Sequence, residues 1–313
     1  MRIRFGRRSR AAATALVVVG SGVAASACSA SSTIPASNGK IVAVGAENQY
    51  ANVISQIGGV YVSTTAILSN PNTDPHSFES SPQVANAVGD ADLIVQNGVG
   101  YDSFMDRIES AAPNAKRKVI DVQALLRLPD STPNPHLWYK PTTMPAVARA
   151  IGRDLSSLAP AHAAYFGANV GRFTASLAPW YRAIEALRTM YPGAPVATTE
   201  PVADYMLEAA GTRNVTPFTF QEDVMNGVDP APQDVAIETG LLSHHAVRAF
   251  VYNEQVTDSF TQSLLALAHQ DHIPVVGVYE TMPTPGYDYQ SWMVAEVRAL
   301  DGALAHGTSS PKL

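Results

Sequence analysis

Two histidines of this 313-residue chain stand in nearly the same local setting, Asp74-Pro75-His76 and Asn134-Pro135-His136. In each, proline fixes its own φ and pushes the residue before it away from helix, so each histidine is expected on a stiff, extended loop. A lone loop histidine is ordinarily solvated or bonded to its own backbone. A pair preset in the same way suits metal ligation, because ordering the ligands in advance removes an entropic cost from binding. Two carboxylates extend the constellation: Glu200 follows the apolar run 195–199, and Glu280 follows the run 273–279. Ligands bind outside the carboxyl ends of the strands of an open parallel sheet, so both acids are expected at one cleft. Glu200 equally suits the N-terminus of a helix, where the macrodipole favours an acid. Two imidazoles and two carboxylates match Zn2+, Mn2+ or Fe2+, whereas Ca2+ and Mg2+ prefer oxygen alone. Glu47, at the end of the first apolar run, is a further acid near the cleft and a candidate for orienting a ligand histidine.

The elements that must hold these residues follow from the alternation of apolar runs with helical patterns. IVAV (41–44), VYVSTTAIL (60–68), LIV (93–95) and VI (119–120) form one set, and PVATT (195–199), VRAFVYN (247–253) and IPVVGVY (273–279) a second. Strands alternating with helices imply an α/β fold with parallel sheets. The expected architecture is two lobes, residues 40–159 and 191–313, each a parallel sheet flanked by helices. Between them, residues 160–190 open on Pro160 and carry apolar side chains at helical spacing from Phe166 to Leu187. This segment is expected as one long rigid helix kinked at Pro179.

The N-terminus is of another kind. Arg2, Arg4, Arg7, Arg8 and Arg10 precede a short apolar stretch and then small residues leading to Cys28, the single cysteine. Residues 1–27 read as a signal peptide too short to remain as a membrane helix. Ala25-Ser26-Ala27-Cys28 resembles a bacterial lipobox, which implies cleavage before Cys28, a lipid on that cysteine, and a flexible tether over 28–39. Loss of residues 1–27 removes five arginines and no acid, taking the formal charge from −6 to −11. So acidic a chain is a poor match for nucleic acid. With the lone cysteine spent as an anchor, neither an internal disulfide nor a thiolate metal site is available.

The stretch NTDPHSFESSPQVANAVGDADLIVQNGVGYDSFMDRI from Asn72, together with NPHLWYKPTTMPAVARAIGRDL, resembles the metal-specific solute-binding proteins of bacterial ABC importers, the zinc and manganese receptors. The resemblance extends over essentially the whole mature chain. It implies an extracytoplasmic receptor without catalytic activity, monomeric, anchored by lipid to the outer face of the cytoplasmic membrane, that hands its ion to a permease with an ATPase subunit. It also implies one ion held between the lobes by four protein ligands, which fall here on His76, His136, Glu200 and Glu280. Where zinc receptors usually have a third histidine this chain has Glu200, as the manganese receptors do, and where aspartate is usual it has Glu280. The histidine-rich acidic loop common among zinc receptors is absent from residues 110–135. The transported ion is thus Zn2+ or Mn2+, with zinc favoured by the ordinary affinity order. A secreted zinc hydrolase using the two histidines and one acid is the alternative of another class, but no HExxH helix supports it. An adhesin-like metal-binding lipoprotein of the same fold is a third reading.

Overall fold

A computed structural model describes residues 39–313 apart from Thr73 and Thr284. The expected signal peptide, Cys28 and nearly all of the expected tether lie outside the described residues. The first set of apolar runs forms β1 (Ile41–Glu47), β2 (Val62–Leu68), β3 (Leu93–Gln96) and β4 (Lys118–Asp121). They pair in the order β2-β1-β3-β4, every pair parallel. The second set forms β5 (Pro195–Thr198), β6 (Arg213–Asn214), β7 (Ala249–Asn253) and β8 (Val275–Val278). These repeat the arrangement, β6-β5-β7-β8, again all parallel. Strands β3, β7 and β8 are buried at every residue, which is why they read as unbroken apolar runs rather than alternating ones. Strand β6 had no such signal: it is two residues at a sheet edge, Arg213 and Asn214.

In each sheet the first strand lies between the second and third, so successive connections leave it in opposite directions. Such a reversal opens a crevice at the strands' carboxyl ends, beside β1 and β3 in one sheet and β5 and β7 in the other. The two sheets are not separate bodies. A single apolar cluster takes in Val95 and Ile120 from the first and Val196, Val251 and Val278 from the second, with Trp138, Trp180, Tyr289 and Trp292 among its largest members. Tyr289 ties the parts further, donating through its hydroxyl to the Trp138 carbonyl at 2.7 Å.

The linking segment departs in one respect from the single kinked helix expected for it. After a turn at Pro160–His162 it runs as two helices, Ala163–Ser176 and Ala178–Met190, divided at Leu177. Leu177 keeps helical dihedrals (φ −77°, ψ −10°), so the axis continues while the ladder breaks. The cause is Pro179, which has no N–H to donate one turn back and whose ring crowds the preceding carbonyl. The first piece packs on the helices Asn48–Gly58 and Thr143–Leu158, the second on Tyr289–His306.

Gly45, in the strand that leads to Glu47, shows how closely β1 and its following helix approach. A Cβ there would lie 2.3 Å from the Ala51 backbone nitrogen, whereas nothing lies within 4 Å of one at Gly171. Gly45→Ala is therefore expected to lower stability by about 1–3 kcal/mol through overpacking. Gly171→Ala, in a helix, should be neutral or stabilise by up to ~1 kcal/mol. Urea unfolding of the two variants checks both.

Candidate metal centre

The paired Asx-Pro-His segments fold alike, though not as extended loops. Asp74 is extended (φ −60°, ψ 118°), as its proline requires, but Pro75–Ser77 is a 3-10 turn whose first residue is the proline. The Asp74 carboxylate accepts from the His76 backbone N–H at 2.8 Å. The second segment repeats this bond: Asn134 Oδ1 accepts from the His136 N–H at 2.9 Å, just ahead of the turn Leu137–Tyr139. An Asx side chain closing a turn on the residue two places on, with proline supplying the φ between, explains why extension stops at one residue.

The two turns bring both imidazoles to one oxygen from the other half of the molecule. Glu280 Oε2 lies 3.1 Å from His76 Nε2 and 3.3 Å from His136 Nε2. His76, His136 and Glu280 each offer a ligand atom within 4.8 Å of the others. Donors held about 2.0–2.2 Å from one ion stand roughly 3.0–3.6 Å from each other, so these separations fit a common metal. Glu280 and His136 are fully buried, while the His76 side chain is 24% exposed and forms the open side of the group.

Protonation makes the fit stricter. His136 Nδ1 is 2.9 Å from Asn134 Oδ1, an oxygen already committed as an acceptor, while the Asn134 amide donates to the Pro201 carbonyl at 2.7 Å. The proton of a neutral His136 therefore sits on Nδ1, and burial holds its pKa below the ordinary value, keeping it neutral. Its Nε2 then turns a lone pair toward the Glu280 carboxylate, acceptor facing acceptor, an arrangement a cation resolves. His76 is the opposite case. Burial opposes its charge, but the hydrogen bond and negative charge of Glu280 prevail and push its pKa up to about 9. For Glu280, burial works against ionisation, but the positive charge and hydrogen bond of His76 outweigh it and hold the pKa below the carboxylate range.

Glu200 stands beside this trio rather than within it. It is 3% exposed; Oε1 accepts from the Asn253 amide at 3.1 Å, and Oε2 is buried with no hydrogen-bond partner among the described residues. Burial, then the charge of Glu280, push its pKa well up. The same Asn253 amide donates to Glu280 Oε1 at 2.8 Å, joining the two acids. Glu47 makes no hydrogen bond to either histidine among the described residues. It is fully buried, and burial, then the charge of Asp102, push its pKa well up. The side chain bonded to the His136 ring is instead that of Asn134.

Tyr101 and Asn253 are the side chains that reading the sequence missed. Tyr101 donates to Glu280 Oε2 at 2.9 Å. It rides on a loop in which Gly98, Val99 and Gly100 all have positive φ (76°, 54° and 75°), a strained state for β-branched valine. The loop is pinned by Asp102, which accepts from the Asn97 and Gly98 N–H groups, and by Gln123, which accepts from Val99. Asn97 in turn donates to the Pro135 carbonyl at 2.8 Å, coupling Tyr101's loop to that of His136. Trp138 is fully buried and meets the His136 ring edge-on at 5.4 Å and that of Tyr101 at 5.1 Å. Asn253 is the last residue of β7, and the strand-end rule that picked out the glutamates would have found it.

This geometry agrees with what the chain is similar to. A family model described as zinc-uptake complex component A, periplasmic, matches residues 44–303. The chain belongs to this zinc-uptake component family. Members of that family are described as periplasmic components of zinc uptake. Among curated relatives, a metal-binding protein of Thermotoga maritima is 33% identical over 98 residues, 30% of this chain and 33% of that one. Another from Treponema pallidum is 23% identical over 153 residues, 43% of this chain and 48% of that one. The matched stretches thus span a third to a half of those relatives. Solved structures share the fold over more of the chain. The periplasmic zinc-binding protein TroA of Treponema pallidum has a TM-score of 0.71 at 16% identity, covering 86% of this chain and 100% of that one. FpvC of Pseudomonas aeruginosa with Mn2+ has 0.70 at 18% identity, covering 85% and 98%. No helix among the described residues is long and apolar enough to cross a membrane.

The linkage to stability has a definite sign. The folded pKa of His76, about 9, exceeds that of an unfolded histidine, about 6.5. Its contribution is fully present below pH about 6.5 and is lost as pH rises through 9. Histidine NMR of metal-free protein should find the His76 ring titrating near 9, falling by more than one unit in Glu280→Gln. An ordinary value in both would remove the ion pair.

Proposed function

We propose that this member of the zinc-uptake component family captures one divalent cation between two lobes, residues 40–159 and 191–313, and delivers it to a membrane permease driven by an ATPase. The observation that carries the reading is the single oxygen, Glu280 Oε2, lying 3.1 and 3.3 Å from the two imidazole nitrogens. His76, His136 and Glu280 bind the ion, and Glu200 completes the shell through its partnerless Oε2. Zinc is preferred to manganese. The affinity order favours it at such a site, and two nitrogen and two oxygen donors satisfy its tetrahedral habit. Cys28 carries the lipid that keeps the receptor, a monomer, at the outer face of the cytoplasmic membrane, with residues 28–39 as its tether.

Capture displaces protons. At neutral pH the ion must expel the proton that His76 holds against Glu280, and the ion's charge takes that proton's place. Affinity therefore rises with pH until His76 is deprotonated. The apolar core common to both sheets favours small adjustments around the ion over a wide hinge closure.

Isothermal titration of residues 40–313 with Zn2+ should give one site. Affinity should fall at least tenfold in His76→Ala, His136→Ala and Glu280→Ala alike. The same titration in buffers of different ionisation enthalpy should register release of at least one proton at pH 7.5, with log K climbing toward pH 9 and levelling above it. Retention of wild-type affinity in the histidine variants would sink the assignment.

A further inference from the structure

We propose that Asn253 is a specificity-determining residue: by holding one oxygen of each glutamate, it makes both carboxylates bind the ion through a single oxygen and so selects zinc over manganese. This rests on the reading of His76, His136, Glu200 and Glu280 as the ligand set. An amide nitrogen has two hydrogens, and both are used. Asn253 Nδ2 donates to Glu280 Oε1 at 2.8 Å and to Glu200 Oε1 at 3.1 Å. The orientation of the amide is fixed, because its Oδ1 accepts from the Gln255 N–H at 3.0 Å, so a flip would set N–H against N–H. The backbone is held as well: the Asn253 N–H donates to Thr199 Oγ1 at 3.0 Å, next to Glu200. The residue is 1% exposed, so the amide lies away from bulk solvent.

The outcome is one oxygen of each acid held by the shared amide and the other turned away from it, Glu280 Oε2 also accepting from the Tyr101 hydroxyl at 2.9 Å. Glu280 turns Oε2 to the two imidazole nitrogens, and Glu200 keeps Oε2 buried and unpartnered. The backbone of Glu280 is fixed independently, its N–H donating to Gln255 Oε1 at 2.7 Å and its carbonyl accepting from Gln49 at 3.2 Å. Neither carboxylate can then pivot to present both oxygens without breaking a buried hydrogen bond. Two imidazoles and two single carboxylate oxygens make a four-donor shell, the number zinc takes in closed sites. With Asn253 removed, either glutamate is free to bind through both oxygens, which raises the donor count toward the oxygen-rich, higher-coordinate shell that suits manganese.

The test compares wild type with Asn253→Ala and Asn253→Ser by competition titration with Zn2+ and Mn2+, alongside the visible spectrum of the Co2+-loaded protein. Wild type should favour zinc and give the intense absorption of four-coordinate cobalt. In both variants the ratio of zinc to manganese affinity should fall at least tenfold, and the cobalt bands should weaken as coordination number rises. Equal losses for both metals with unchanged cobalt bands would overturn the proposal and leave Asn253 a packing residue. Unchanged affinities and spectrum would overturn it too. Failure of wild type itself to bind either metal would instead strike the ligand assignment, and thermal unfolding of the metal-free variants separates misfolding from a change in selectivity.

Discussion

One carboxylate oxygen organises the molecule's functional half-space. Glu280 Oε2 receives Tyr101 from the first sheet's loops and faces both His76 and His136, although Glu280 itself follows the last strand of the second sheet. A fully buried carboxylate flanked by a charged imidazole and a lone pair is costly unless positive charge is shared among them. The proton on His76 supplies that charge, and under the proposed function a divalent cation would supply more of it. The two sheets are thus joined at this oxygen by a balance of charge between Glu280 and His76.

Around this centre the scaffold removes freedom step by step. Each histidine sits in a turn closed by its own Asx side chain, with proline setting the dihedral between. The loop carrying Tyr101 tolerates Val99 at positive φ because Asp102, Gln123 and Asn97 tie it on three sides. Trp138 seals the apolar side of His136. Strain and preset rotamers of this kind are what a binding site uses to avoid losing entropy when the ion arrives.

Much of this was legible in the residues. The apolar runs located seven of the eight described strands because buried parallel strands leave an unmistakable composition, and the exception, β6, has only Arg213 and Asn214 to announce it. Asx-Pro-His marked both histidines, since proline and a capping side chain act locally. Long-range contacts were less accessible. That Asn134 rather than Glu47 supports His136, that Asn253 bridges two acids from different strands, and that Tyr101 reaches Glu280 all depend on how two sheets meet, which no local spacing encodes. Pro179 was placed correctly as the weak point of the linking helix, but the break falls at Leu177, because a missing N–H acts on the preceding turn.

Diffraction tests the ion's proposed position without any intermediate step. Crystals of residues 40–313 grown with Zn2+, measured on both sides of the zinc absorption edge, should show one strong anomalous peak about 2.0–2.2 Å from His76 Nε2, His136 Nε2 and Glu280 Oε2. A peak at another group of side chains, or none at the fully loaded site, would contradict it.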